Sequence, residues 1–274
     1  MTHSLSIDVF NPGPASIFPV SSVLISGERE AVLIDAQFQR NDAEALVEKI
    51  KAGGRKLTTI YISHSDPDYY FGLDTLHTAF PEAKIIASAP TVAAIEATKE
   101  IKLAYWGPQL KDNVPKAILV PEVLDGDRFE LEGHTLQIIG LDGATPARSL
   151  VWIDSLKAVV GGIPVQANQH VWMADTATLS SRQNWLKTLE HIQSLNPELV
   201  IPGHYQLSND GEPPYTIQSV AFMQAYLELY EKEVNTSETA DALIAAMLKH
   251  YPDLADRSYL ELGAKVVKGE LQWP

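Results

Sequence analysis

The 274-residue chain contains no cysteine. Disulfides are therefore excluded, and any metal ion must be held by imidazole or carboxylate rather than thiolate. Basic residues are scarce, 21 against 35 acidic ones, for a formal net charge of −14. Such a balance lacks the basic field that nucleic-acid backbones require, so no nucleic-acid partner is expected. One local basic group would still suffice for an anionic small molecule. No stretch approaches the roughly 18 unbroken apolar residues of a membrane span, so no membrane association is expected. The N-terminal MTHSLSIDVFNPGPASIF has no basic start followed by an apolar run and does not read as a secretory signal. The expected setting is cytoplasmic, with a removed leader as the alternative. Also absent are a Gly-x-Ser-x-Gly elbow, a Gly-x-Gly-x-x-Gly fingerprint and a P-loop, which disfavours serine nucleophiles and nucleotide cofactors.

What is present is ample apolar material, 45% of residues, enough for a large core in one compound domain or a domain with an appendage. Residues 17–25 and 30–36 are β-type runs around Ser26-Gly27-Glu28-Arg29, a hairpin pattern. Residues 42–54 have helical spacing, with Ala43, Leu46, Val47 and Ile50 on one face and Gly53-Gly54 as the stop. A β-branched run, 57–63, ends abruptly at His64. A helix around 72–80, a strand at 84–87 and a helix from Pro90 follow. Residues 104–116 carry Pro, Trp and Gly and read as irregular, either a lid or a packed loop. Short strands are expected over 118–162, including a hairpin at 128–141, then a helix at 180–194 and a strand running into His204. Beyond Tyr205 come three amphipathic helical stretches, with Ser237 and Asp256 as N-terminal caps. Strand–helix alternation over the first hundred residues predicts an α/β layered architecture.

The chemistry concentrates in Ile62-Ser63-His64-Ser65-Asp66-Pro67-Asp68-Tyr69-Tyr70-Phe71-Gly72. An apolar strand feeding one His and two Asp into the turn before a helix assembles donors that suit Zn, Mn or Fe. The plain alternative is a helix-entry turn in which Asp66 or Asp68 caps backbone N–H groups.

This segment resembles the signature of the metallo-β-lactamase superfamily, His-x-His-x-Asp-His followed by Gly. Further landmarks are similar in order and spacing: Leu33-Ile34-Asp35, the turn Asp142-Gly143-Ala144-Thr145-Pro146, Val160-Gly161-Gly162-Ile163 and Ile201-Pro202-Gly203-His204. The resemblance implies a four-layer αββα sandwich over residues 1–210 with a C-terminal helical extension over 211–274. It also implies ligand positions. His64, Asp68 and His204 are retained, and Asp66 replaces a His with another donor. Tyr69 and Ala144 replace two His ligands, and Gly162 stands where a bridging Asp is expected. A two-ion centre is therefore not expected. The surviving set, His64, Asp66, Asp68 and His204, predicts one divalent ion, zinc first and manganese or iron after it, or none.

In that frame Asp66 and Asp68 are the candidate catalytic carboxylates, either of them a general base if left unligated. Tyr69, Trp106, Arg148 and His170 are candidate substrate contacts. Each has a plainer role: core packing for the aromatics, a surface ion pair for Arg148, a packed loop histidine for His170. His3, His77, His134, His191 and His250 read as structural or solvated. The expected function is metal-dependent hydrolysis of an ester, lactone, thioester or similar bond in a small molecule. The alternative is a non-catalytic member that binds a small molecule or a protein. The C-terminal helices are expected to cover the pocket rim or to form a homodimer.

Overall fold

Alternation along the strands sorts their side chains into two sheet faces, and this builds the molecule. The computed structural model describes residues 4–145 and 147–273; His3 and Pro146 lie outside them. One sheet has six strands in sequence order: β1 (Ser6–Phe10), β2 (Ser22–Ser26), β3 (Glu30–Ile34), β4 (Lys56–Ile62), β5 (Lys84–Ala87) and β6 (Glu122–Val123). β1 to β3 are antiparallel and β3 to β6 parallel. The second half supplies β7 (Arg128–Leu131), β8 (His134–Ile139), β9 (Leu150–Ile153), β10 (Ala158–Val160), β11 (Gln166–Ala167), β12 (Leu199–Ile201) and β13 (His204–Tyr205). Five of these make a sheet in the order β12-β10-β9-β8-β7, and β11 pairs with β13.

Three cores follow from the two-residue period. Val23, Ile25, Val32, Ile34 and Tyr61 of the first sheet meet Leu136, Ile138, Val151, Ile153 and Val160 of the second. The intervening Leu24, Leu33, Ile60 and Ile62 face the opposite way, onto Leu46, Val47, Ile50, Leu76 and Ile95. Those belong to helices α1 (Arg40–Gly53), α3 (Leu73–Ala79) and α4 (Ala89–Leu110), while α2 (Pro67–Tyr70) is a single turn between the sheet and α3. On the far side Leu150, Trp152, Val159 and Val200 pack on Trp185, Leu189, Val220, Met223 and Leu227. These come from α5 (Leu179–Ser194) and α6 (Gln218–Thr236). The order helix, sheet, sheet, helix is the expected αββα sandwich. Helices α7 (Ala240–His250) and α8 (Arg257–Val267) complete the C-terminal helical region. They share a core with the second sheet, through Leu243, Met247 and Leu260. Among the described residues, no helix is long and apolar enough to cross a membrane.

Several local expectations need correction. The segment 104–116 is not irregular: α4 runs on through Leu110 despite Pro108, and a 3-10 turn (Lys111–Asn113) follows. A proline in the last turn removes only one helical hydrogen bond, and Trp106 anchors that turn edge-on against Phe18 and Phe38, with ring centroids at 5.0 and 5.6 Å. Ser237 is not the cap of α7; the Thr239 side chain accepts from Ala242 N instead. Asp256 does stand at the start of α8, but at φ 57° and without a capping bond; its Oδ2 accepts from Gln206 Nε2. The strand β1 is an addition to the expected set, its Ile7/Val9 alternation being too short to stand out against flanking polar residues.

Candidate functional site

The site begins where β4 ends. Ser63 N and Oγ both donate to the Asp35 carboxylate at 2.8 Å, and Asp35 itself sits at φ 66° just after β3. Complete burial pushes the Asp35 carboxyl up to about 7, against the pull of its Ser63 donors. This brace fixes the backbone entering His64. Ser149 N donates to Ser63 O at 2.9 Å, and His64 forms a lone antiparallel bridge with Arg148. The Gly that ends the motif is sterically required: a Cβ on Gly72 would fall 2.0 Å from Ala36 O.

Both retained histidines are buried, and each commits Nδ1 to a main-chain carbonyl: His64 to Ala147 O at 2.9 Å, His204 to Pro19 O at 3.0 Å. A carbonyl only accepts, so Nδ1 carries the proton in each ring and Nε2 is turned inward. His64 Nε2 then faces Asp66 Oδ2 at 3.0 Å, and His204 Nε2 faces Asp68 Oδ2 at 2.9 Å. Two lone pairs at that distance repel unless a cation, proton or metal, lies between them. Burial opposes charge on His204, but hydrogen bonding and charge from Asp68 outweigh it and raise its pKa.

Tyr69 separates the two pairs. Its ring lies edge-on to His64 and to His204, with centroids at 5.2 and 5.6 Å. Expected as a wall of the substrate pocket, it is instead fully buried between the histidines and absent from the cleft lining. Burial and the surrounding carboxylates hold its phenol well above the ordinary range, so it stays neutral and is a poor ligand.

A residue with no sequence signal completes the cluster. Asp175, in a 3-10 turn (Ala174–Thr176), joins His64 and Asp66: their ligating atoms all lie within 4.8 Å of one another. Among the described residues this is the one such group of three, and Asp68 with His204 does not join it. Each carboxylate also meets a cation. Lys102 Nζ reaches Asp66 Oδ1 at 2.6 Å and donates to Ser65 O at 3.1 Å. Burial alone would raise the Asp66 carboxyl, but the charges of Lys102 and His64 hold it well below the usual range. Arg148 Nη2 pairs with Asp175 Oδ2 at 2.9 Å, and the indoles of Trp172 and Trp273 donate to the same carboxylate. Burial and the Asp66 charge push Asp175 up, with Arg148 opposing.

Arg148 is thus neither a surface residue nor part of the cleft lining. It is 1% exposed, its guanidinium 4.9 Å from the Trp185 ring centroid. His170 likewise misses the cleft: it is buried, with Nδ1 bonded to the Tyr226 hydroxyl at 2.9 Å. Trp106 does line the cleft. The cleft is open to solvent and lined by Asp66, Asp68, Lys102 and His204 together with aromatic rings. Tyr259 and Trp273 also line it, so the C-terminal region contributes directly to the cleft. Packing there is tight: a Cβ on Gly263 of α8 would fall 2.9 Å from Met173 Cβ, beside the Asp175 turn.

These residues do not fit two ions, because Tyr69, Ala144 and Gly162 supply no ligand. They fit one. His64, Asp66 and Asp175 offer one nitrogen and two carboxylate donors, and the backbone bond to His64 Nδ1 is the outer support that metal-bound histidines ordinarily have.

Comparison with known proteins agrees with the fold. A metallo-β-lactamase from Pontibacter korlensis superposes with a TM-score of 0.58 at 16% identity, covering 83% of this chain and 96% of that one. A metallo-β-lactamase family protein from Thermus thermophilus gives 0.63 at 14% identity, covering 95% and 91%. At these identities the likeness shows the fold alone. The uncharacterized protein YobT of Bacillus subtilis (strain 168) is 27% identical over 103 residues, 38% of this chain and 44% of that protein. This chain thus matches less than half the length of that curated relative. The model of the metallo-beta-lactamase superfamily matches residues 15–204, from just after β1 to the closing histidine, and the chain belongs to that superfamily.

Proposed function

We propose that the chain is a hydrolase of small apolar molecules, cleaving an ester, lactone, thioester or similar bond with one divalent ion held by His64, Asp66 and Asp175. The observation that carries this reading is the fixed inward Nε2 of His64 facing two carboxylates within 4.8 Å. A bound divalent ion would polarise the scissile carbonyl and acidify water. The chain's own residues do the rest. Aromatic walls, Trp106 and Trp172 among them, take the apolar body of the ligand and exclude water. Asp68 lines the cleft and accepts the proton of the attacking water, and His204 Nε2–H holds that carboxylate in place. Zinc leads among the ions, with manganese and iron behind it.

The test is turnover of a panel of aryl esters, lactones and thioesters by protein loaded with Zn, Mn or Fe(II). His64→Ala and Asp175→Ala are expected to lose at least about 100-fold in kcat/KM. Asp142→Asn, in the turn after β8, should leave it unchanged. A second reading, a binding protein without catalysis, is favoured by Lys102 and Arg148, which already balance the two carboxylates. Saturable binding of those compounds with no turnover under any metal would select it.

A further inference from the structure

The charges around His64 carry a consequence for how an ion enters. Asp66 and Asp175 supply two negative charges, and Lys102 and Arg148 supply two positive ones at 2.6 and 2.9 Å. With both cations in place the three ligands present no net negative charge to a divalent ion, in a site where burial strengthens every Coulomb term. Release of one cation would restore a net negative charge to the three ligands.

The structure distinguishes them. Arg148 is 1% exposed, lies over the Trp185 ring and sits beside His64 through the backbone bridge. It has nowhere to go. Lys102 is 16% exposed and lines the open cleft from α4, where its neighbours Ile101 and Tyr105 are 57% and 50% exposed. Its ammonium is a compact charge on a flexible four-carbon stem, so it can swing into the cleft while α4 stays packed.

We infer that Lys102 is a displaceable counter-ion of the metal site, holding Asp66 Oδ1 until a divalent cation takes its place. Ion uptake is then an exchange of one cation for another, and Lys102 sets the affinity. This rests on the one-ion reading of His64, Asp66 and Asp175.

Isothermal titration of metal-free protein with zinc chloride tests it, comparing native protein with K102M, K102R and K99M. K102M keeps the stem without the charge and is expected to bind zinc at least tenfold more tightly. K102Q, whose amide can still donate to Asp66, serves if K102M does not fold. K102R keeps the charge and should stay at or below native affinity. K99M removes a charge one turn earlier on α4, from a lysine paired with Glu96 rather than with the site, and should stay near native. Equal affinity of K102M and native protein overturns the counter-ion and leaves the one-ion reading standing. So does a K99M gain as large as that of K102M, which would make the effect one of overall charge. No zinc binding by any of the proteins, K102M and K102Q included, overturns the one-ion reading itself and the inference with it.

Discussion

Gly162→Asp, which puts back the carboxylate expected at the bridging position, is expected to cost about 4 kcal/mol of folding free energy rather than create a second metal ligand. Gly162 adopts φ 76°, where a side chain is strained regardless of space. The space is missing too. A Cβ would fall 2.1 Å from Ser149 O and 3.1 Å from Pro164 Cδ. Ser149 cannot retreat, because its N and Oγ both bond Ser63 O and its hydroxyl also meets Tyr61 OH at 2.8 Å. The loss of this ligand is therefore built into the backbone, and one substitution does not reverse it. Urea unfolding is the measurement, and Gly162→Ala should fall in the same direction. A Gly162→Asp protein with the native midpoint would show that the backbone here is free to move.

Arg148→Met is the second large effect, a loss of about 3–5 kcal/mol. The exchange roughly keeps volume but removes the cation from a pair in which Arg148 is 1% exposed and Asp175 20%. Asp175 would keep the two indole donors, Trp172 and Trp273, and no formal positive partner of its own. A largely buried carboxylate without its counter-charge is the costly state; the intact pair contributes much less than its breakage takes away. Arg148→Met combined with Asp175→Asn should therefore recover part of the loss, since the amide carries no charge and its oxygen still accepts from one of the two indoles, while the other indole loses its acceptor. Denaturant midpoints of the two single variants and the double variant give the comparison. Additive losses would mean that Arg148 stabilises through its contact with Trp185 instead.

What the sequence made legible was local. The run into His64, the Gly72 close approach and the Pro202-Gly203-His204 return are short backbone devices whose residue types announce them, and the two-residue alternation separates the sheet faces. Asp175 was invisible for the opposite reason. It is one polar residue in a loop, and only folding brings it to His64, more than a hundred positions earlier in the chain. Lys102 sits in a helical stretch of mixed charge, Glu100-Ile101-Lys102, where a lysine ordinarily points to water. Trp273 lies near the chain end, yet its indole donates to Asp175 Oδ1 at 2.9 Å. The four donors expected to act together are divided into two pairs by Tyr69, a residue whose bulk rather than its polarity decides its role.

The most direct measurement of the central claim is the number of ions each chain holds. Metal-free protein is dialysed to equilibrium against zinc, and metal and protein are quantified together. One ion per chain is expected in the native protein and in His204→Ala. Almost none is expected in His64→Ala or Asp175→Ala. Two ions per chain, or one ion that survives loss of Asp175 and disappears with His204, would contradict the assignment.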